Sequence, residues 1–190
     1  VMGRHIIGYE VQSVLALVDW FCRDAPEAPI RIEGWGDGGM LSLYAGALDT
    51  RVSETAVAGY FTDRSGLWQE PIDRNVFGLL VEFGDAEIAS LIAPRTLTVV
   101  ASPGPVETVT RAPGEGGAPG SLVSPELGAV TREVAKARAL VEPLLARGWI
   151  TLVQPAGAAD RAEGGSACAK RFSGAVRVPD AAGRERRLIQ

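Results

Sequence analysis

Residues 30–52 read IRIEGWGDGGMLSLYAGALDTRV, and their reading decides the fold. IRIEG has the length and composition of a short strand. GWGDGG packs glycine into a tight turn, and Met40 to Leu48, rich in Leu and Ala, predicts a helix. Gly34, Gly36 and Gly38 suit a bend that brings strand and helix backbones close together, where a side chain finds no room.

Outward from this turn the pattern keeps alternating. Upstream, Val11, Val14, Leu15, Val18, Phe21 and Cys22 line one face of an amphipathic helix over 10–22, and DAPEAP stops it. Downstream, SETAVAGY predicts a buried strand at 53–60. A polar and aromatic excursion follows, FTDRSGLWQEPIDRN (61–75), and then a helix over 76–83. DAEIAS predicts a short helix, and Thr96 to Ala101 the next strand.

A Gly/Pro-rich loop is expected over 102–124, densest at 102–120. Ser124 and Pro125 suit N-cap and N1 of a long helix that Pro143 kinks and Gly148 ends. WITLVQP (149–155) predicts the last strand. Strands alternating with helices predict an α/β fold, a three-layer α/β/α sandwich around a mostly parallel sheet. Four strands are legible, and a helix runs straight into the first of them. That implies a piece of a larger protein, lacking the N-terminal half of its sheet, with the 30–34 strand at an open edge. Residues 1–155 form the expected domain, and 156–190 a poorly patterned tail or the start of a further segment.

Composition bounds the function. The chain has 190 residues, 46% hydrophobic and 22% charged, enough for one domain with a real core. Its 19 basic and 23 acidic residues give a net charge of −4, so there is no basic footprint for nucleic acid. No apolar run approaches the roughly 20 residues that span a bilayer, and no signal peptide is read at the head of the chain. Cys22 and Cys168 lack metal-ligand spacing, and a single histidine, His5, excludes a multi-histidine site. No metal or cofactor is expected.

With these segments in place, the chain resembles the second half of an α/β-hydrolase, and more narrowly the acetyl xylan esterase and dienelactone hydrolase-like branch. GRHIIGYEVQSVLALVDWF (3–21), GWGDGG (34–39), ALDTRV (47–52) and LIAPRTLTVV (91–100) carry the likeness. It covers residues 3–101 well and 125–154 by layout alone. In that superfamily the strand-to-helix turn is the nucleophile elbow, G-x-S-x-G. Here the serine's place falls on Gly36.

Shifting the frame by one makes Asp37 the nucleophile, as in dehalogenase-like hydrolases, but puts Trp35 where a small residue belongs. The other reading of Asp37 is a helix N-terminal charge favoured by the dipole. The resemblance places the triad acid after the strand ending at Ala101, which points to Glu107, with Asp63 as a second candidate; both also read as solvated loop carboxylates. The histidine expected after WITLVQP is missing from the tail.

His5 remains, and with Arg4 it reads either as a pocket-lining pair for an anionic or carbonyl ligand or as exposed loop. Trp68, Arg74 and Asn75 either cap the pocket, where the aromatic suits sugar or aryl stacking, or simply pack the excursion. The elbow residues Gly34, Trp35, Gly36, Asp37, Gly38 and Gly39 keep backbone donors, notably the Asp37 N–H, for an oxyanion or ligand.

The resemblance implies hydrolysis of a carboxylic ester, on a small molecule or a carbohydrate, by an exported protein. The residues imply that the serine mechanism is absent from this chain. It is then a degenerate hydrolase, one reliant on Asp37, or a non-catalytic ligand-binding or scaffold domain using the old pocket.

Overall fold

The computed structural model describes residues 5–110, 112, 114, 117–144 and 148–154, with backbone alone at 178–179 and 185–186. Arg4 and nearly all of the 156–190 tail lie outside the described residues. Four parallel strands make the main sheet: β1 (Ile30–Trp35), β2 (Val52–Ala58), β3 (Thr96–Val100) and β6 (Ile150–Val153), in the order β1-β2-β3-β6. Each neighbouring pair is parallel. The α/β class and the parallel sheet expected from the alternating pattern are therefore present.

The helices are α1 (Ile6–Asp24), α2 (Asp37–Leu48), the single turn α3 (Leu79–Glu82), α4 (Asp85–Ser90) and α5 (Leu127–Val141). α1 packs on α2, α2 on α4, and α4 on α5, so these four form a layer. The register puts Ile32, Thr55, Val57, Leu97, Val99 and Ile150 on the face beneath it. Leu43, Val57, Leu97, Val99, Val134 and Ala137 are buried there in one core. α2 approaches β2 so closely that a Cβ on Gly46 would lie 2.3 Å from Thr55 Oγ1.

Several local expectations are corrected. α1 begins at Ile6 rather than residue 10, with His5 as its N-cap. The helix expected over 76–83 shrinks to α3, because Gly78 takes a left-handed φ of +79° in its middle. Part of the loop 102–124 is a hairpin: β4 (Glu107–Val109) pairs antiparallel with β5 (Gly120–Leu122). The N-cap position of α5 is Glu126, with no side-chain capping bond, rather than Ser124, whose hydroxyl instead accepts the Gly104 N–H at 2.9 Å. At Pro143 the chain does not kink within α-helix; α5 ends at Val141 and a 3-10 turn, Glu142–Leu144, follows.

Candidate functional site

The bend between β1 and α2 is built from glycine because nothing larger fits. A Cβ on Gly34 would sit 2.0 Å from the Gly38 carbonyl oxygen and 2.6 Å from the Gly39 nitrogen. Gly36 stands at the apex, buried, with φ +59° and ψ −122°, a conformation that L side chains rarely adopt. Its N–H reaches the Ala58 carbonyl at 2.9 Å, and its own carbonyl takes the first helical bond from Met40. Gly38, expected to be cramped, faces open space; the crowding falls on Gly39, whose Cβ would lie 3.1 Å from the Ala58 oxygen and 3.3 Å from the Tyr60 Cβ.

Above the apex lies the loop leading into the hairpin. The Pro105 ring carbons are 3.0 Å from where a Cβ on Gly36 would be. Two contacts fix that loop: the Trp35 indole N–H donates to the Pro103 carbonyl at 2.9 Å, and Gly104 packs so tightly on Gly59 that a Cβ would meet its oxygen at 2.1 Å. Trp35 therefore has a structural duty at the turn. Between hairpin and excursion remains a cavity of about 20 Å³, lined by Tyr60, Arg64, Arg74, Pro105 and Leu122. That is room for a water-sized molecule.

A buried chain of polar groups runs from the helix layer to the turn. The Tyr60 hydroxyl donates to Asp85 Oδ1 at 2.6 Å and accepts from Arg64 Nη1 at 3.0 Å. Arg64 Nη2 and Arg74 Nε both donate to Glu70 Oε2, at 3.2 and 2.7 Å. Arg74 also forms an ion pair with Asp37, whose side chain is otherwise exposed. Arg64 and Arg74 are only 4% and 6% exposed, so two guanidinium groups are held inside the protein by named carboxylates.

Burial shapes the titration of this chain. It pushes the Asp85 carboxyl up to about 7, against the pull of Arg64 and the Tyr60 hydrogen bond. It raises Glu70 as well, opposed by Arg64. For Arg74 burial prevails over the attraction of Asp85 and lowers the pKa. Arg64 shifts upward, because Tyr60, Asp85 and Glu70 outweigh the cost of burial. Groups this perturbed, gathered in one buried network beside the turn, make that network a candidate site.

The other candidates are dispersed. Asp63 is exposed and accepts from the Ser65 N–H at 2.9 Å, an Asx turn. Glu107 is exposed on β4, in register with Leu122. His5 is half-buried at the start of α1, its carbonyl accepting from Gly8, and its ring makes no hydrogen bond with another described residue. Trp68 is 78% exposed. Asn75 ends a 3-10 turn, half-buried. The structure thus brings Asp37 and Arg74 together at the turn.

Sequence reasoning missed Tyr60, Arg64, Glu70, Asp85 and Pro105. Arg64 and Glu70 carry no local signal, since a charge in a polar excursion reads as solvated. No group of His, Cys, Asp and Glu among the described residues is arranged to hold a metal ion. No helix among them is long and apolar enough to cross a membrane.

Fold and turn together define an α/β protein with a parallel sheet and a glycine-built strand-to-helix bend. A carbohydrate esterase family 15 glucuronoyl esterase from Caldicellulosiruptor kristjansonii is similar in structure, with a TM-score of 0.54 and 16% sequence identity. The match covers 99% of this chain and 55% of that one, so the chain spans about half the length of its structural neighbour. No family model matches the sequence, and no curated protein is significantly similar to it.

Proposed function

We propose that the Gly36 turn is an esterase-type nucleophile elbow whose nucleophile is gone, kept as a binding site for the carbonyl or carboxylate of a carbohydrate ester or its acid. The observation that carries this reading is the apex itself. Gly36 holds a strained backbone that normally serves to present a side chain, yet the Pro105 ring occupies the space that a side chain there would take, 3.0 Å from a Cβ. Donors remain without a nucleophile: no side chain caps α2, so its first N–H groups face the turn with the dipole's positive end.

Asp37 then acts as a positioning residue. Its carboxylate pairs with Arg74, which sets that side chain beside the turn. The elbow residues that follow the acetyl xylan esterase and dienelactone hydrolase-like pattern, and the carbohydrate esterase among structural neighbours, support an ester of a sugar as the ancestral substrate class.

The test is p-nitrophenyl acetate turnover beside amide NMR. We expect turnover no faster than the buffer rate, and saturable shifts of the Asp37, Gly38 and Gly39 amides on titration with methyl glucuronate or glucuronate. Turnover abolished by Asp37→Asn but kept in His5→Ala would instead make Asp37 the nucleophile and overturn the proposal. So would an absence of shifts at all three amides.

A further inference from the structure

We propose that Arg74 makes the Gly36 turn select a free carboxylic acid over its ester, the acid's carboxylate displacing that of Asp37 from the guanidinium. This selectivity presupposes the binding site proposed above and names the ligand chemistry that the site prefers. Asp37 is then an internal stand-in for the ligand's charged group.

The charges in contact do not balance inside the protein. Arg64 Nη2 and Arg74 Nε share one carboxylate oxygen, Glu70 Oε2. Asp85 does not supply the second charge: its oxygens meet the Tyr60 hydroxyl and the Thr62 N–H rather than a guanidinium. That leaves Asp37, whose side chain is 61% exposed against 6% for Arg74. A buried cation is therefore neutralised by a group standing in solvent, and leaving it unpaired would be costly. In keeping with this, burial lowers the Arg74 pKa.

Arg74 also has a donor to spare. Its Nη1 is buried and makes no hydrogen bond with a described residue; Asp37 meets it as an ion pair alone. A guanidinium binds a carboxylate best through two parallel bonds. Asp37 is the first residue of α2, which no side chain caps, so an anion in its place also meets the positive end of the helix dipole. The exchange replaces one carboxylate by another of the same size, so the water-sized cavity beside Arg64, Arg74 and Pro105 need not widen. An ester has a carbonyl to offer the turn but no charge to exchange, and with an ester bound Asp37 stays on Arg74.

NMR titrations of the protein with glucuronate and with methyl glucuronate test this. The acid should bind about tenfold tighter than the ester, and only the acid should move the Arg74 side-chain Nε–H resonance. Asp37→Asn, at an exposed side chain, removes the internal competitor and should widen the difference to about a hundredfold. Adding Arg74→Gln should abolish the difference. Equal affinities for acid and ester in Asp37→Asn, or an Arg74 resonance unmoved by the acid, overturn the selectivity, while shifts at the Gly38 and Gly39 amides would still uphold the binding site. No shift of either amide with either ligand removes the site itself and the selectivity with it. The Arg74 resonance is read in the wild type, so the test does not depend on the folding of any variant.

Discussion

The two ends of the sheet are built by opposite means. At the carboxyl end, where β1 leads into α2, the structure removes side chains at Gly34, Gly36 and Gly39 and buries the Arg64, Arg74 and Asp85 side chains, with Glu70 half-buried between the two arginines. At the amino end, it adds a long side chain: Arg95 Nη1 donates to the carbonyls of Gly46, Asp49 and Val52 at 2.6, 3.0 and 2.9 Å, fastening the end of α2 to β2. The charges nearby, Arg51 with Asp49 and Asp19, lie near the surface. One end stores strain and buried charge, which costs stability; the other is ordinary fastening. Strain and buried charge gather where function is placed.

The contrast can be broken most severely at Gly34. An alanine Cβ there meets backbone on the next turn, which cannot yield, so Gly34→Ala should cost about 3 kcal/mol or more and fail to give a cooperative thermal transition.

Next comes the buried carboxyl. Asp85 is raised from 3.8 to about 7 in the fold, so between those values the folded state binds more protons than the unfolded. Its contribution to stability is full below the unfolded value and is lost as pH rises through about 7. A tenfold change in proton affinity is worth about 1.4 kcal/mol. Urea denaturation should therefore show the wild type losing several kcal/mol more between pH 4 and 7 than Asp85→Asn does. Parallel pH profiles for the two proteins would contradict this.

At the other end, Arg95→Met keeps the aliphatic stem but removes donors from three carbonyls, and about 2 kcal/mol should be lost in chemical denaturation. The smallest effect sharpens the comparison within the turn itself. Gly38 faces open space, so Gly38→Ala should be neutral or stabilise by up to about 1 kcal/mol, while its neighbour in the motif, Gly34, tolerates nothing.

Legibility in the sequence followed the range of the forces involved. The β1–turn–α2 unit was readable because a short strand, clustered glycines and a helix-forming run are local features. The apex at Gly36 followed from the need for small neighbours, although the crowding expected at Gly38 falls on Gly39. The hairpin was not readable, since β4 and β5 are three residues each and exist by pairing across an intervening stretch. The N-cap of α5 slipped from Ser124 to Glu126 because the hydroxyl found a distant partner in Gly104.

The sequence by itself determined the α/β class, the strand order of appearance and the glycine bend. Those depend on residue identity and on periodicities of a few residues. Only the tertiary structure decided that Pro105 closes over the apex, that Arg74 meets Asp37, and that Asp85 is buried deeply enough to hold its proton near neutrality. Each of these joins residues far apart in the chain, and burial, which sets the strength of a charge, is a property of the packed molecule.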